Sequence, residues 1–313
     1  MPFKVIIADS LPAEALERLR AGGVQADGRD GILPEKLLEV IPSYHALIVR
    51  SRTKVTAQVF DAAKDLKVVG RAGVGVDNID LAAAKAQNVI VVNTPQSTSI
   101  AVAEHTFALM LALIRQIPRA DVKMKKGGWP KKELEGVELN GKTLGVIGVG
   151  NIGAQVARRA AAFDIRVLGY DPLLDRKTIE SRGARPATLE QVYAESDFIT
   201  LHLPLLPETR GVINRDVFEK VKRGVYIICA ARGGVIDEDA LLSALSSGRV
   251  AGAALDVFER EPPGASPLVT HPKVVATPHI GAQTVEAQAR AALDVAEEVL
   301  NALQGKPLRW QVK

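Results

Sequence analysis

The hexapeptide Gly148-Val149-Gly150-Asn151-Ile152-Gly153 directly follows an apolar strand-forming run, Thr143–Ile147, and opens an alanine- and arginine-rich stretch with helical spacing. In that setting the three glycines have separate jobs. The first permits a tight turn, the second lets backbone approach a pyrophosphate, and the third lets helix and strand pack closely. N–H groups at the start of the helix then meet the phosphates with the positive end of its dipole. A second strand ends at Asp171, eighteen residues past Gly153, close to the ~20-residue spacing at which an acid reaches the adenosine ribose. A carboxylate there accepts hydrogen bonds from the ribose hydroxyls and repels a 2′-phosphate, so the pattern expects NAD rather than NADP.

Four basic groups stand at the carboxyl ends of other apolar runs, where open parallel sheets collect ligands. Arg50 follows Ala46–Val49, Arg71 follows Lys67–Val69, Arg232 follows Val225–Ile228, and His279 follows Val274–Ala276. Neighbouring glycines (Gly73, Gly75, Gly233, Gly234, Gly281) let a ligand approach the backbone closely. Spacing leaves the proton-transferring histidine open among His45, His105, His202, His271 and His279; His202 also ends a strand, and His105 lies in a helical segment beside Glu104. Asp256, Glu259 and Glu261 are equal candidates for the acid that orients it. Cys229, inside an apolar strand, reads as a small buried side chain rather than a nucleophile.

These groups need a scaffold. Strand runs are expected at Lys4–Ala8, Ala46–Val49, Lys67–Val69, Val89–Val92, Thr143–Ile147, Arg166–Leu168, Phe198–Leu201, Val225–Ile228, Gly252–Leu255 and Val274–Ala276. Most are apolar at successive positions, as strands covered on both faces are. Helical stretches alternate with them, which makes an α/β fold with parallel sheets. A boundary falls near Asn93-Thr94-Pro95, followed by capping residues Ser97 to Ser99 and a long helix. Ile100, Ala103, Phe107, Met110, Leu111 and Ile114 share one face of it, and Pro118 is expected to kink or end it. Lys123–Trp129 reads as a basic loop, the long helix as a bridge between domains, and Thr284–Leu303 as a helix returning to the first domain.

Composition narrows the classes. A length of 313 residues suggests two domains, and 47% hydrophobic with 24% charged residues excludes a disordered chain. No run approaches the roughly 18 apolar residues of a membrane span, and the first residues do not read as a secretory signal. A cytoplasmic protein is expected. A net charge of +4 and 4% aromatics argue against a nucleic-acid partner, and one cysteine excludes a disulfide framework and any cysteine-built metal site. No metal is expected.

Beyond spacing, the chain resembles the D-isomer-specific 2-hydroxyacid dehydrogenase family over essentially its whole length. The resemblance rests on Arg71-Ala72-Gly73-Val74-Gly75-Val76-Asp77-Asn78-Ile79-Asp80, Asn93-Thr94-Pro95, Val102-Ala103-Glu104-His105-Thr106 and the Gly136–Gly153 stretch. It continues through His202-Leu203-Pro204-Leu205-Leu206-Pro207-Glu208-Thr209, Ala231-Arg232-Gly233-Gly234, Ala254-Leu255-Asp256-Val257-Phe258 and Thr277-Pro278-His279-Ile280-Gly281. The earlier motifs are similar to the branch acting on 3-phosphoglycerate. The resemblance implies two Rossmann-like or flavodoxin-like lobes around a cleft, with residues 1–96 plus 282–313 binding substrate and residues 97–281 binding NAD. It implies a catalytic set of Arg232, Glu261 and His279. Cofactor contacts fall on Val74, Gly148, Gly150, Asn151, Ile152, Gly153, Asp171, His202, Leu203, Pro204, Ala230, Ala231, Arg232, Asp256, His279 and Gly281. Substrate contacts fall on Arg50, Ser51, Arg71, Ala72, Gly73, Arg232, His279 and Lys131, where many relatives carry an arginine near the last.

The implied activity is NAD-dependent oxidation of 3-phospho-D-glycerate to 3-phosphohydroxypyruvate, the first step toward serine, in a homodimer or homotetramer. Two alternatives share the same residues: a reductase of glyoxylate, hydroxypyruvate or another D-2-hydroxyacid couple, and an NAD(H)-sensing co-repressor. The resemblance stops at the helix that closes the first lobe, so no regulatory domain and no feedback by serine are expected.

Overall fold

Short aliphatic and β-branched runs form twelve strands among the described residues, 2–312, of this computed structural model. They are β1 (Lys4–Ile7), β2 (Gln25–Gly28), β3 (Ala46–Val49), β4 (Val68–Arg71), β5 (Ile90–Asn93), β6 (Thr143–Ile147), β7 (Arg166–Tyr170), β8 (Arg185–Pro186), β9 (Phe198–Leu201), β10 (Val225–Cys229), β11 (Val250–Leu255) and β12 (Val274–Ala276). The chain divides into two compact units, one from the N-terminus to Thr98 plus the residues from Ala282 onward, the other Ser99–Gly281.

The first unit holds a five-stranded sheet in the order β2-β1-β3-β4-β5, the second a seven-stranded sheet in the order β12-β11-β10-β9-β6-β7-β8. Every strand pairing in both is parallel. Numbered within their own sheets, these are the two common doubly wound orders, 2-1-3-4-5 and 3-2-1-4-5-6 with one strand added. The central strands β3, β6 and β9 are buried at every position, which explains their unbroken apolar runs. β2 and β8 escape the sequence reading because they are edge strands: Gln25-Ala26-Asp27-Gly28 and Arg185-Pro186 carry polar residues and a proline that only an edge tolerates.

The helix Val285–Leu303 packs on β4 and β5 of the first unit and is capped by Thr284, whose Oγ1 accepts from Ala287 N at 3.2 Å. Glycine is required beneath it, since a Cβ on Gly70 would lie 2.6 Å from Val299 Cγ2. Glu298 on this helix is fully buried. Its carboxylate accepts from Arg309 N at 2.9 Å, Arg309 Nε at 3.0 Å and Trp310 N at 3.1 Å. The tail so held lies along β5, with Gln311 bridging Val92 antiparallel.

Two expectations about the middle of the chain are corrected, the bridging helix and the basic loop, while the break expected from Pro118 is present as a 63° bend after Ile114. The helix Ser99–Ile114 lies wholly inside the second unit rather than bridging two, and it is buried on most sides, while Ile100 is 42% exposed. It stops before Pro118: Gln116 turns left-handed (φ 51°), and Pro118 sits in the first turn of a new helix, Ile117–Lys125, where its missing N–H costs nothing. Lys123–Lys125 therefore end a helix rather than open a loop. Among the described residues no single helix is long and apolar enough to cross a membrane.

Glu298→Ala should leave the N–H groups of Arg309 and Trp310 without their acceptor and lower stability by about 2 kcal/mol, read as a lower urea midpoint. An unchanged midpoint would show that the tail is held by other means.

Candidate active site

In the second unit the strand order reverses between β6 and β9, and the crevice at such a reversal is where doubly wound sheets bind ligands. The glycine turn emerges there from β6. Gly148 has φ 91°, and a Cβ on it would fall 2.5 Å from the His202 carbonyl oxygen, at the end of β9, and 3.0 Å from the Leu203 side chain. A Cβ on Gly153 would fall 2.1 Å from Gly148 O, so only glycine lets the helix Asn151–Ala160 seat against the turn. Around Gly150 the space is open. Asp171 directly follows β7, with one carboxylate oxygen accepting from Val149 N at 2.9 Å and the other from Leu173 N at 3.0 Å. The first of these bonds ties the acid to the glycine turn. Arg182, which spacing did not single out, donates to Val149 O at 2.5 Å and braces the turn from behind. A cradle closed by glycines, open at its second glycine and flanked by an acid fits a dinucleotide. Asn151 and Ile152 start the helix, and Ala230 and Ala231 are buried just past β10. Pro204 O accepts from Thr209 Oγ1 at 2.6 Å.

Arg232, Glu261 and His279 follow β10, β11 and β12, three neighbours in the sheet. Two of them are in direct contact: His279 Nδ1 lies 2.8 Å from Glu261 Oε2. The other Glu261 oxygen accepts from Phe258 N at 3.2 Å, which fixes the carboxylate plane. With Nδ1–H given to a carboxylate, Nε2 keeps the lone pair and can take a proton. Arg232 donates through Nη1 to Ala231 O at 2.7 Å. Gly233 beside it is tightly pressed, since a Cβ there would meet Phe258 O at 1.8 Å, so the arginine turn and the Glu261 loop are in contact.

His279 has φ 53°, a conformation L residues rarely adopt. Asp256, 1% exposed, surrounds it with hydrogen bonds. Its carbonyl accepts from His279 N at 2.8 Å, and its carboxylate accepts from Ile280 N at 2.9 Å, Gly281 N at 2.7 Å and Thr277 Oγ1 at 2.6 Å. Burial pushes this carboxyl's pKa up, but the bonds from His105, Thr277, Ile280 and Gly281 outweigh it and hold the group below its ordinary value.

The geometry separates the candidates that spacing left equal. Glu259 is turned toward the neighbouring helix, accepting from Glu238 N at 3.4 Å while its own N–H donates to Glu238 Oε1 at 2.7 Å. His45 accepts from Lys4 N at 3.0 Å, a bond between neighbouring strand starts, and His271 accepts from Lys273 N at 3.2 Å within one turn. His202 meets the glycine turn through its carbonyl rather than its ring. The ring shares Nε2 with Thr200 Oγ1 at 3.1 Å, its buried Nδ1 has no partner, and burial pushes its pKa down to about 4. Burial likewise raises the Cys229 thiol to about 11, which leaves it unreactive.

In the first unit the order reverses between β1 and β3, and Arg50 stands at that reversal. Asp9, buried at the end of β1, accepts from Arg50 N at 2.6 Å, Thr53 N at 3.2 Å and Thr53 Oγ1 at 2.6 Å, while Asn78 Nδ2 donates to Arg50 O at 2.9 Å and Thr53 O at 2.7 Å. The loop carrying Arg50 and the exposed Ser51 is thereby rigid. Arg52 pairs with Asp9 and Asp30, whereas the Arg50 guanidinium donates to two neutral oxygens, Ser10 O and Gln283 Oε1, each at 3.2 Å. Neither Asp9, Ser10, Gln283 nor Asn78 was visible as a partner in the sequence. Arg71 is the last residue of β4 rather than the residue after it, and its guanidinium folds over Gly73. Ala72 is buried beside it, Gly73 N donates to Thr94 Oγ1 at 2.7 Å, and Val74 O accepts from Asn93 Nδ2 at 2.6 Å. Lys131 lies exposed in the turn Lys131–Glu133 of the second unit.

A doubly wound dinucleotide unit carrying an arginine, a glutamate and a histidine on three adjacent strand ends defines a class of NAD-binding dehydrogenase. The family model described as "D-isomer specific 2-hydroxyacid dehydrogenase, NAD binding domain" matches residues 107–281, and the chain belongs to that family. The chain is similar to D-3-phosphoglycerate dehydrogenase of Archaeoglobus fulgidus, 46% identical over 98% of this chain and 58% of that protein. It is 47% identical to D-3-phosphoglycerate dehydrogenase of Rattus norvegicus over 97% of this chain and 57% of that one. The chain thus spans little more than half the length of these relatives. Among solved structures it is similar to a glyoxylate reductase from Paecilomyes thermophila, 31% identical with a TM-score of 0.91, covering 99% of this chain and 98% of that one.

The His202 ring supplies a pH signature. Its folded pKa of about 4 lies below the unfolded value of 6.5, so the unfolded chain binds the proton first. The contribution is fully present above pH 6.5 and is lost as pH falls toward 4, on the order of 3 kcal/mol over the span. His202→Gln should flatten this part of the stability-against-pH curve measured by urea unfolding. Parallel curves for the two proteins would contradict it.

Proposed function

We propose that this chain catalyses the NAD-dependent oxidation of 3-phospho-D-glycerate to 3-phosphohydroxypyruvate. The observation that carries the reading is the 2.8 Å bond between His279 Nδ1 and Glu261. A 2-hydroxy acid loses hydride from C2 only as its hydroxyl proton departs, and a histidine with Nε2 free serves as that base. Glu261 keeps the tautomer and stabilises the imidazolium that forms. Arg232 clamps the substrate carboxylate and polarises the C2 oxygen. NAD, when bound on Gly148, Gly150, Gly153 and Asp171, supplies the hydride acceptor. In the reverse direction the protonated His279 returns its proton to the carbonyl oxygen.

The 3-phosphate is assigned to Arg50 and Arg71. A dianion needs charge-assisted donors, and Arg50 meets that need because its fork rests on neutral oxygens that an anion displaces at little cost. The name shared by the relatives supports the same substrate. The rival reading, reduction of glyoxylate or hydroxypyruvate, is favoured by the likeness to the glyoxylate reductase and makes no use of these arginines. The two separate in one assay. The purified protein with 3-phosphoglycerate and NAD at alkaline pH should form NADH, and Arg50→Ala should raise KM for the phosphorylated acid at least about tenfold with kcat little changed. No NADH formation beside brisk glyoxylate reduction, or an unchanged KM, would overturn the phosphorylated substrate.

The assembly is assigned to a homodimer or homotetramer. The helix Ser99–Ile114 offers little outward apolar surface, but Ile117, Val122 and Met124 on the helix after it are exposed, and Trp129 is 78% exposed. Such an apolar set on a folded surface marks a contact. Met124→Glu with Trp129→Glu should convert the sedimenting species to half its mass; a wild type that already sediments as a monomer would remove the assignment.

A further inference from the structure

Of the five histidines in the chain, His105 is the one whose ring touches the support of His279 without belonging to the reaction itself. It sits in the helix Ser99–Ile114 of the same unit, mostly buried, with Nε2 3.1 Å from Thr277 Oγ1 and 3.3 Å from Asp256 Oδ1. The direction of these contacts follows from the neighbours. The Thr277 hydroxyl hydrogen is already given to Asp256 Oδ1 at 2.6 Å, and Asp256 is acceptor only when ionised. Both oxygens facing His105 are therefore acceptors, and Nε2 must carry the hydrogen.

Asp256 thus gathers donors from two sides. Thr277, Ile280 and Gly281 reach it from the strand-end segment that contains His279, and His105 reaches it from the helix. The site is tight: a Cβ on Gly281 would lie 3.0 Å from Asp256 Oδ2 and 3.6 Å from His105 Cδ2. The opposite side of the His105 turn is tied down separately, by Glu104 pairing with Arg159.

We propose that His105 is a positioning residue: its Nε2–H anchors the Asp256–Thr277 pair to the helix, and through Asp256 it holds His279 in the left-handed backbone conformation from which Nε2 of that residue meets the substrate. The inference rests on His279 being the base of the proposed reaction. A buried carboxylate that loses a donor is undersatisfied and rearranges, and the N–H groups it holds at 280 and 281, directly after His279, shift with it. The larger part of ground-state binding is left in place, because neither the glycine turn nor Arg50 depends on this network.

The test compares His105→Leu, His105→Gln, Thr277→Val and Thr277→Ser in the full chain, with kcat, KM for the acid, NADH binding by fluorescence and melting temperature. Leucine removes the donor, while glutamine offers an amide N–H in its place; valine removes the hydroxyl, while serine keeps it. His105→Leu and Thr277→Val should lose about tenfold in kcat with KM and NADH affinity within about twofold, and the Gln and Ser variants should recover most of the loss. A kcat for His105→Leu equal to wild type, or a Gln variant as slow as the Leu variant, would overturn the proposal. Should the Leu variant fail to fold, the Thr277 pair decides alone by the same criterion. A wild type inactive on every 2-hydroxy and 2-oxo acid overturns the functional reading together with this one, whereas an active wild type with an unaffected His105→Leu overturns this one only.

Discussion

A buried carboxylate with its full complement of donors is the constraint on which the strand-end segment carrying His279 depends. Asp256 is nearly inaccessible to water, and an ionised group in that position is tolerable only when hydrogen bonds replace its hydration. The donors that do so are the N–H groups of Ile280 and Gly281, directly after His279, and the side chains of Thr277 and His105. Satisfying the charge and shaping the loop are thus one event. The left-handed backbone of His279, unfavourable by itself, is offset by bonds that no extended conformation would provide.

The same economy recurs in the first unit. Asp9 is buried at the end of β1 and satisfied by the loop that follows β3, and that satisfaction sets the path of Arg50 to Thr53. In each sheet an acid at one strand end dictates the conformation of a neighbouring strand's loop, and that loop carries a side chain suited to an anionic metabolite. The loop after β3 starts from a strand buried at every position, whereas the His279 loop follows the half-buried edge strand β12 and so depends more heavily on the Asp256 hydrogen bonds.

Charge placement distinguishes residues that composition treats alike. Arg50 and Arg52 are two residues apart, yet Arg52 is neutralised by Asp9 and Asp30 while Arg50 rests on neutral oxygens. Burial draws the Arg50 pKa down and the charges of Asp9 and Asp30 resist it, but an arginine remains charged in either case. Glu259 and Glu261 differ in the same manner: one clasps the start of the neighbouring helix, the other holds an imidazole.

Much of this was legible in the chain itself. The apolar runs determined the central strands because burial on both faces leaves no polar position to obscure them, and the glycine turn with Asp171 was readable because sterics permit so few residues there. The edge strands β2 and β8 were not, since half-exposed strands of two to four residues carry no apolar period. Nor was the choice among five histidines and three acids, for which the residues alone offered equal claims and the family resemblance supplied the preference. That Glu261 rather than Glu259 meets His279, that His202 lies with its ring buried, and that His105 shares a carboxylate with Thr277 are consequences of which strand ends become neighbours. Strand adjacency is decided by packing between segments far apart in the chain, and a linear pattern of residue types holds no record of it.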